Sequence, residues 1–209
     1  MCGIAGNFSL KGETFSMHHL KKMANAISHR GPDNEGFFID KGVAFAHRRL
    51  SILDTSAKGN QPMTSKDNNW TIVFNGCIYN FLELKQELKA KGHSFVSSTD
   101  TEVIVEGLAE YGVSFFLLLN GMFAIAAWQR NEDAVYLSRD RFGVKPLYYW
   151  FDGANLVFSS EIKAILQHPD YKVKLNLAAL NEYFSFQNFF SYHTLFDGIT
   201  MLPAANTVR

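Results

Sequence analysis

Residues 111–129 carry no charged side chain, and that run limits what the chain can fold into. Taken whole, it is long enough to cross a bilayer, whereas as two pieces it belongs to a packed core. Asn120-Gly121 divides it. That dipeptide is a turn signal, so residues 115–119 and 122–128 each have the length of a helix end or a buried strand, and no membrane span is expected. With 47% hydrophobic and 19% charged residues over 209 positions, the chain can fill the core of one large or two small domains.

The periodicities assign the remaining elements. A first strand runs through Phe8. Met17, Leu20, Met23, Ala24 and Ile27 then share one face of a helix over 17–28, which Gly31-Pro32 breaks. Short strands follow at 35–39 and 43–46, with an extended continuation over 47–54. Trp70, Ile72 and Phe74 alternate as in a half-buried strand, and Asn75-Gly76 reads as its end. Asn80 is placed to cap a helix whose stripe is Phe81, Leu84 and Leu88 and whose stop is Gly92. Thr99 and Glu102 have capping-box spacing before a helix carrying Val103, Ile104 and Leu108 to Gly112. Strands at 122–128, 134–138, 147–151 and 156–158 come next, with helices at 161–166 and 177–184. Strands, two helices, then strands predict an α+β fold of layered sheets rather than a doubly wound parallel sheet.

Charge narrows the partners. Lys+Arg and Asp+Glu total 20 each with no basic run, so no nucleic-acid partner is expected. Two cysteines, Cys2 and Cys77, cannot form a disulfide framework, and the N-terminus lacks the pattern of a signal peptide. A cytoplasmic location is expected. No cysteine spacing suits a metal, and no Walker-type phosphate loop is present.

Cys2 can be read in two ways. It can be a buried apolar residue opening a strand. Alternatively, removal of Met1 leaves one residue holding both a thiol nucleophile and a free α-amine able to act as its base.

Met1-Cys2-Gly3-Ile4-Ala5-Gly6, His29-Arg30-Gly31-Pro32-Asp33, Arg49-Leu50-Ser51-Ile52, Phe74-Asn75-Gly76, Asp100-Thr101-Glu102 and Arg139-Asp140-Arg141-Phe142-Gly143-Val144-Lys145-Pro146-Leu147-Tyr148 occur in that order. Together they resemble the glutaminase (class II glutamine amidotransferase) domain of the glutamine-hydrolysing asparagine synthetases. The resemblance implies the N-terminal nucleophile hydrolase fold, a four-layer αββα sandwich of two antiparallel sheets. It implies that Cys2 attacks the carboxamide of glutamine to give a thioester and ammonia. The Asn75 side chain and the Gly76 N–H would receive the oxyanion, Arg49 would hold the α-carboxylate and Asp100 the ammonium. Read without the resemblance, Asn75-Gly76 is a hairpin turn, Arg49 a surface ion pair and Asp100 a first-turn acid favoured by the helix dipole. His29, Arg30 and Asp33 look structural.

One position departs from the family. Where the family reads Asn-Gly-Glu-Ile-Tyr-Asn, this chain has Cys77 in place of the Glu that serves as a second acid for the substrate ammonium. Two functions follow: a glutaminase with weakened glutamine binding that supplies ammonia to an ATP-dependent amidation, or a non-catalytic domain kept for glutamine sensing or partner docking. The amidotransferase domain is expected over 2–175, with 176–209 leading towards a synthetase domain that the sequence does not include, so the chain is either a fragment or a stand-alone protein. No cofactor or metal is expected in this domain; ATP and Mg belong to the synthetase domain. Glutamine and that domain are the expected partners, with a homodimer left open.

Overall fold

The computed structural model describes residues 1–209. Two antiparallel sheets stack face to face, each covered outside by helices. The first half contains β1 (Gly3–Ser9), α1 (Met17–Ala26), β2 (Asn34–Asp40), β3 (Val43–Arg49), β4 (Met63–Thr64), β5 (Trp70–Ile78), α2 (Phe81–Ala90) and α3 (Asp100–Tyr111). The second half contains β6 (Gly121–Gln129), β7 (Ala134–Arg139), β8 (Tyr148–Phe151), β9 (Asn155–Ser159), α4 (Ile162–Ile165), α5 (Leu177–Phe186), β10 (Ile199–Met201) and β11 (Thr207–Val208). One sheet has the order β10-β8-β9-β1-β3-β2 and the other β11-β7-β6-β5-β4.

Strand alternation explains the layers. In β1, Ile4 and Phe8 turn toward the second sheet and meet Phe45, Val73 and Phe158, while Ala5 turns outward beneath α1 and meets Met23 and Ile27. In β5 the outward set is Trp70, Ile72, Phe74 and Ile78, packed under Leu84 and Leu88 of α2 and Val103, Ile104 and Leu108 of α3. The result is the αββα order that the resemblance implied. No helix is long and apolar enough to cross a membrane. The uncharged run divides as expected, into a 3-10 turn over Gly112–Leu118 and strand β6 beginning at Gly121.

Three local expectations are corrected. Asn75-Gly76 does not end β5. Asn75 pairs opposite Ala124 and Gly76 opposite Phe123, and the strand runs on to Ile78. The glycine serves close approach, because a Cβ there would lie 2.2 Å from the Met122 carbonyl oxygen. Asn80 makes no cap bond to α2. Its side chain donates to the Leu118 carbonyl and accepts from Asn120 N–H, tying the helix start to the chain entering β6. The Thr99 hydroxyl does accept from Glu102 N–H, but Glu102 returns its carboxylate to Val96 and Ser97 N–H at 2.8 and 2.7 Å. Beyond residue 175, β10 adds an outer strand to the first sheet, β11 adds one to the second, and Leu202 lies in the core between them.

His47 of β3 joins the two sheets. Its Nε2 donates to the Phe74 carbonyl of β5 at 3.2 Å, and Nδ1 is buried without a partner. Burial pushes its pKa down to about 3, so the ring is neutral in the fold. Between pH 6.5 and 3 the unfolded chain binds a proton at this ring and the folded chain does not, so stability falls as pH drops through that window, by at most about 1.4 kcal/mol per unit. His47→Gln keeps a donor for Phe74 but does not titrate. Denaturant unfolding at pH 7 and pH 4.5 is expected to show wild type losing about 2 kcal/mol more than the variant over that interval; equal losses would mean that the ring is protonated in the fold.

Candidate active site

Cys2 lies at the mouth of the space between the sheets, just before β1. Gly3 pairs opposite Arg48, which brings Cys2 beside the end of β3. Its Sγ accepts from Leu50 N–H at 3.4 Å and donates to the Leu50 carbonyl at 3.6 Å. Arg30 Nε donates to the Cys2 carbonyl at 2.9 Å, and Arg30 Nη1 bonds Glu161 at 2.9 Å. Ser160 closes the next link, its hydroxyl accepting from Ile4 N–H at 3.0 Å while its own N–H donates to the Ile4 carbonyl at 2.9 Å. Asp33 accepts from Ser51 N–H at 2.7 Å and holds the loop after β3. Arg30 and Asp33 are therefore scaffolding, as read from the sequence, and His29 joins them by its contact with Glu161. Burial pushes the Cys2 thiol up, opposed by Leu50 N–H, the chain amine and Arg49.

Strand β5 presents an open edge to this cysteine. β4 covers β5 only at Thr71 and Ile72, so the backbone beyond needs other partners. The Gln61 side chain satisfies Phe74 on both sides, with Oε1 accepting from Phe74 N–H at 2.6 Å and Nε2 donating to its carbonyl at 3.2 Å. Asp100 Oδ2 accepts from Ile78 N–H at 3.0 Å. Since N–H groups alternate along a strand, the Gly76 N–H between them points to the same edge. Asn75 and Cys77 direct their side chains to the inter-sheet face. The Asn75 amide nitrogen is buried with no partner, a donor awaiting an acceptor.

Arg49 is 6% exposed and anchored by three of its five N–H groups. Nη1 donates to the Ser56 carbonyl and to Asn60 Oδ1, both at 2.7 Å, and Nη2 donates to the Asp54 carbonyl. The two remaining N–H groups sit on Nε and Nη2, adjacent nitrogens that suit a carboxylate. Gly59 keeps this guanidinium in place, because a Cβ there would lie 2.3 Å from Nη2. The surface ion pair that was the alternative for Arg49 belongs instead to its neighbour Arg48, 2.7 Å from Glu35.

Asp100 opens α3 and is 4% exposed. Burial raises its pKa, against backbone N–H bonds from Ile78, Thr101 and its own residue. A cation arriving there would favour the ionised carboxylate. Cys2, Arg49, Asn75, Gly76, Cys77 and Asp100 line one cavity of about 280 Å³, together with Met1 and Lys145. Cys77 is a free thiol, as is Cys2, and burial, Asp100 and Lys145 all act on it, the first two raising its pKa and the last lowering it. All the residues selected from the sequence thus converge. A hollow of about 400 Å³ lined by Phe8, Leu137, Tyr149 and Leu156 opens at the far end of β1, but its walls are mainly apolar and include no cysteine.

The sequence reading passed over Gln61, Glu161 and Lys145. Lys145 stood inside a quoted motif, whereas nothing local marks Gln61 or Glu161, which act across 13 and 131 positions of chain.

The whole chain, residues 1–209, matches the family model described as glutamine amidotransferase domain. It is 46% identical over 172 residues to the glutamine-hydrolyzing asparagine synthetase 2 of Bacillus subtilis, covering 81% of this chain and 23% of that protein. It is 40% identical over 190 residues to asparagine synthetase 1 of the same organism, covering 90% and 30%. The chain thus spans less than a third of the length of these relatives. Among solved structures, the glutamine phosphoribosylpyrophosphate amidotransferase of B. subtilis superposes with a TM-score of 0.66 at 22% identity, over 78% of this chain and 43% of that one, a likeness of fold. The match along the full chain places this protein in the glutamine amidotransferase domain family.

Proposed function

We propose that this domain hydrolyses glutamine to glutamate and ammonia through a Cys2 thioester, and that the ammonia serves an asparagine synthetase-type amidation in the longer protein. The observation that carries this reading is the convergence in one cavity of a thiol, a buried amide donor without a partner, an open strand edge, a guanidinium with adjacent free N–H groups and a buried acid. In this mechanism Met1 is removed and the α-amine of Cys2 takes the Sγ proton. The thiolate adds to the carboxamide carbon, and Asn75 Nδ2 and Gly76 N–H receive the oxyanion. Donors aimed in advance at a developing charge contribute on the order of 3 kcal/mol each. The amine then passes its proton to the departing nitrogen, ammonia leaves, and water hydrolyses the thioester. Arg49 holds the substrate carboxylate and Asp100 its ammonium. No cofactor is assigned to this domain, and ATP and Mg fall to the synthetase region. A cytoplasmic setting would keep both thiols reduced. The non-catalytic alternative gains no support, because Cys77 leaves every other group of the set in place.

Intact mass combined with ammonia release from glutamine tests the reading. Processed protein is expected to turn over and Cys2→Ala to be inert; a protein that retains Met1 and turns over equally fast would exclude the amine as base.

Arg49→Ala is expected to act mainly on KM, and Asn75→Ala to lower kcat by about a hundredfold or more, as expected for a lost oxyanion donor. Small and equal effects on both constants would remove these assignments.

Cys77→Glu returns a second acid beside Asp100. Steady-state kinetics are expected to show a KM lowered by about tenfold with kcat little changed, since ground-state and transition-state binding gain alike. An unchanged KM would mean that residue 77 does not face the ammonium.

A further inference from the structure

Lys145 is 5% exposed, yet its ammonium has no anionic partner. Its backbone is fixed, the N–H donating to Asp140 Oδ2 at 3.0 Å and the carbonyl accepting from Arg139 Nε at 2.7 Å. Asp140 also accepts from Phe123, Phe142 and Val144 N–H at 3.1, 3.1 and 2.9 Å, so the loop that carries Lys145 is braced. The side chain enters the cavity, where the one group bonded to Nζ is the Met1 thioether at 3.2 Å. A thioether is a weak acceptor, and an ammonium buried without an anion is costly. Processing would remove even this partner.

Met1 Sδ is five covalent bonds from the Cys2 nitrogen, so Nζ lies within about 10 Å of the atom that becomes the free amine. We propose that Lys145 is a positioning residue: after Met1 removal its ammonium repels a proton from the α-amine of Cys2 and keeps that amine free to act as base. The inference rests on the thioester reading above. An ordinary α-amine titrates at about 7.7–8.0 and is mostly protonated at neutral pH, so a nearby cation would raise the fraction able to act as base.

Of the other charged groups around the amine, Arg49 acts in the same sense, as its effect on the Cys2 thiol shows, until a substrate carboxylate offsets it; the rest do not supply this effect. Arg49 on β3 is engaged by Ser56, Asn60 and Asp54 and awaits a carboxylate. Arg30, after α1, is paired with Glu161. Asp100 on α3 acts in the opposite sense. Asp54 lies on the rim with its carboxylate bonded to Ser56 and Ser98. Burial holds the thiols of Cys2 and of Cys77 on β5 up and His47 on β3 neutral. Lys145 is the cavity cation with neither a carbonyl nor a carboxylate to offset it.

The chain has two cysteines, so labelling with 13C-cysteine gives two Cα resonances, of which that of Cys2 reports its amine. In processed protein the Cys2 Cα titration is expected to have a midpoint about one pH unit lower in wild type than in Lys145→Met, the size expected for a unit charge at this range in a partly screened site. The acid limb of kcat/KM should move up by the same amount in the variant, with KM for glutamine within about twofold of wild type. Lys145→Arg should restore both positions. Methionine leaves the backbone bonds of residue 145 intact, and Lys145→Gln serves as a second neutral variant should Lys145→Met not fold. Equal Cα midpoints in wild type and the neutral variants would overturn the proposal. So would a raised KM with an unmoved acid limb, which would make Lys145 a substrate-binding group. Processed wild type that releases no ammonia would instead refute the thioester reading, while the resonance comparison would still decide the role of Lys145.

Discussion

The site depends on how the exposed edge of β5 satisfies its backbone. A strand edge with no neighbouring strand leaves N–H and C=O groups that must find partners. Here two side chains stand in for the missing strand: Gln61 at Phe74 and Asp100 at Ile78. Between them Gly76 is left facing the cavity, and Asn75 beside it holds a buried amide with no acceptor. On this stretch of β5 the groups left without a partner are those that line the cavity with Cys2. A third protein partner at Gly76 would complete the edge and close the site.

The opposite wall is rigid for a different reason. Cys2 precedes a central strand gripped by β3 and β9, and its carbonyl is bound by Arg30. Arg30 is held in turn by Glu161, whose carboxyl is brought down to about 2: burial works against this, and the bonds from Arg30, Lys163 and His29 outweigh it. The thiol therefore sits at the end of a chain of contacts that reaches the start of α4. Charge around the cavity is split by position, with Arg49 and Lys145 facing Asp100 inside and Asp54 at the rim, and Cys77 adds no charge to either side.

Much of the fold was legible in the chain. The helical stripes of α1, α2 and α3 and the alternation in β5 reflect burial on one face, which is a local periodic signal. Asn75-Gly76 was misread as a turn because the same dipeptide suits both a tight reversal and a strand whose neighbour leaves no room for a Cβ. The distinction lies in Met122 and Phe123, more than 40 positions away. Asn80 was misassigned for a similar reason: its side chain is claimed by Leu118 and Asn120 across the fold.

By itself the sequence determined the layered α+β class, through residue type and short-range pattern that a single chain displays directly. Its motifs, by their resemblance to the glutaminase domain, singled out Cys2, Arg49, Asn75, Gly76 and Asp100 as candidates and marked Cys77 as unusual. Tertiary structure decided which backbone edge stays open, which N–H groups of Arg49 remain free and that Lys145 is buried beside Met1 without an anion. Those properties depend on what lies opposite each group after folding, and hydrogen-bond satisfaction and burial are set by neighbours distant in sequence.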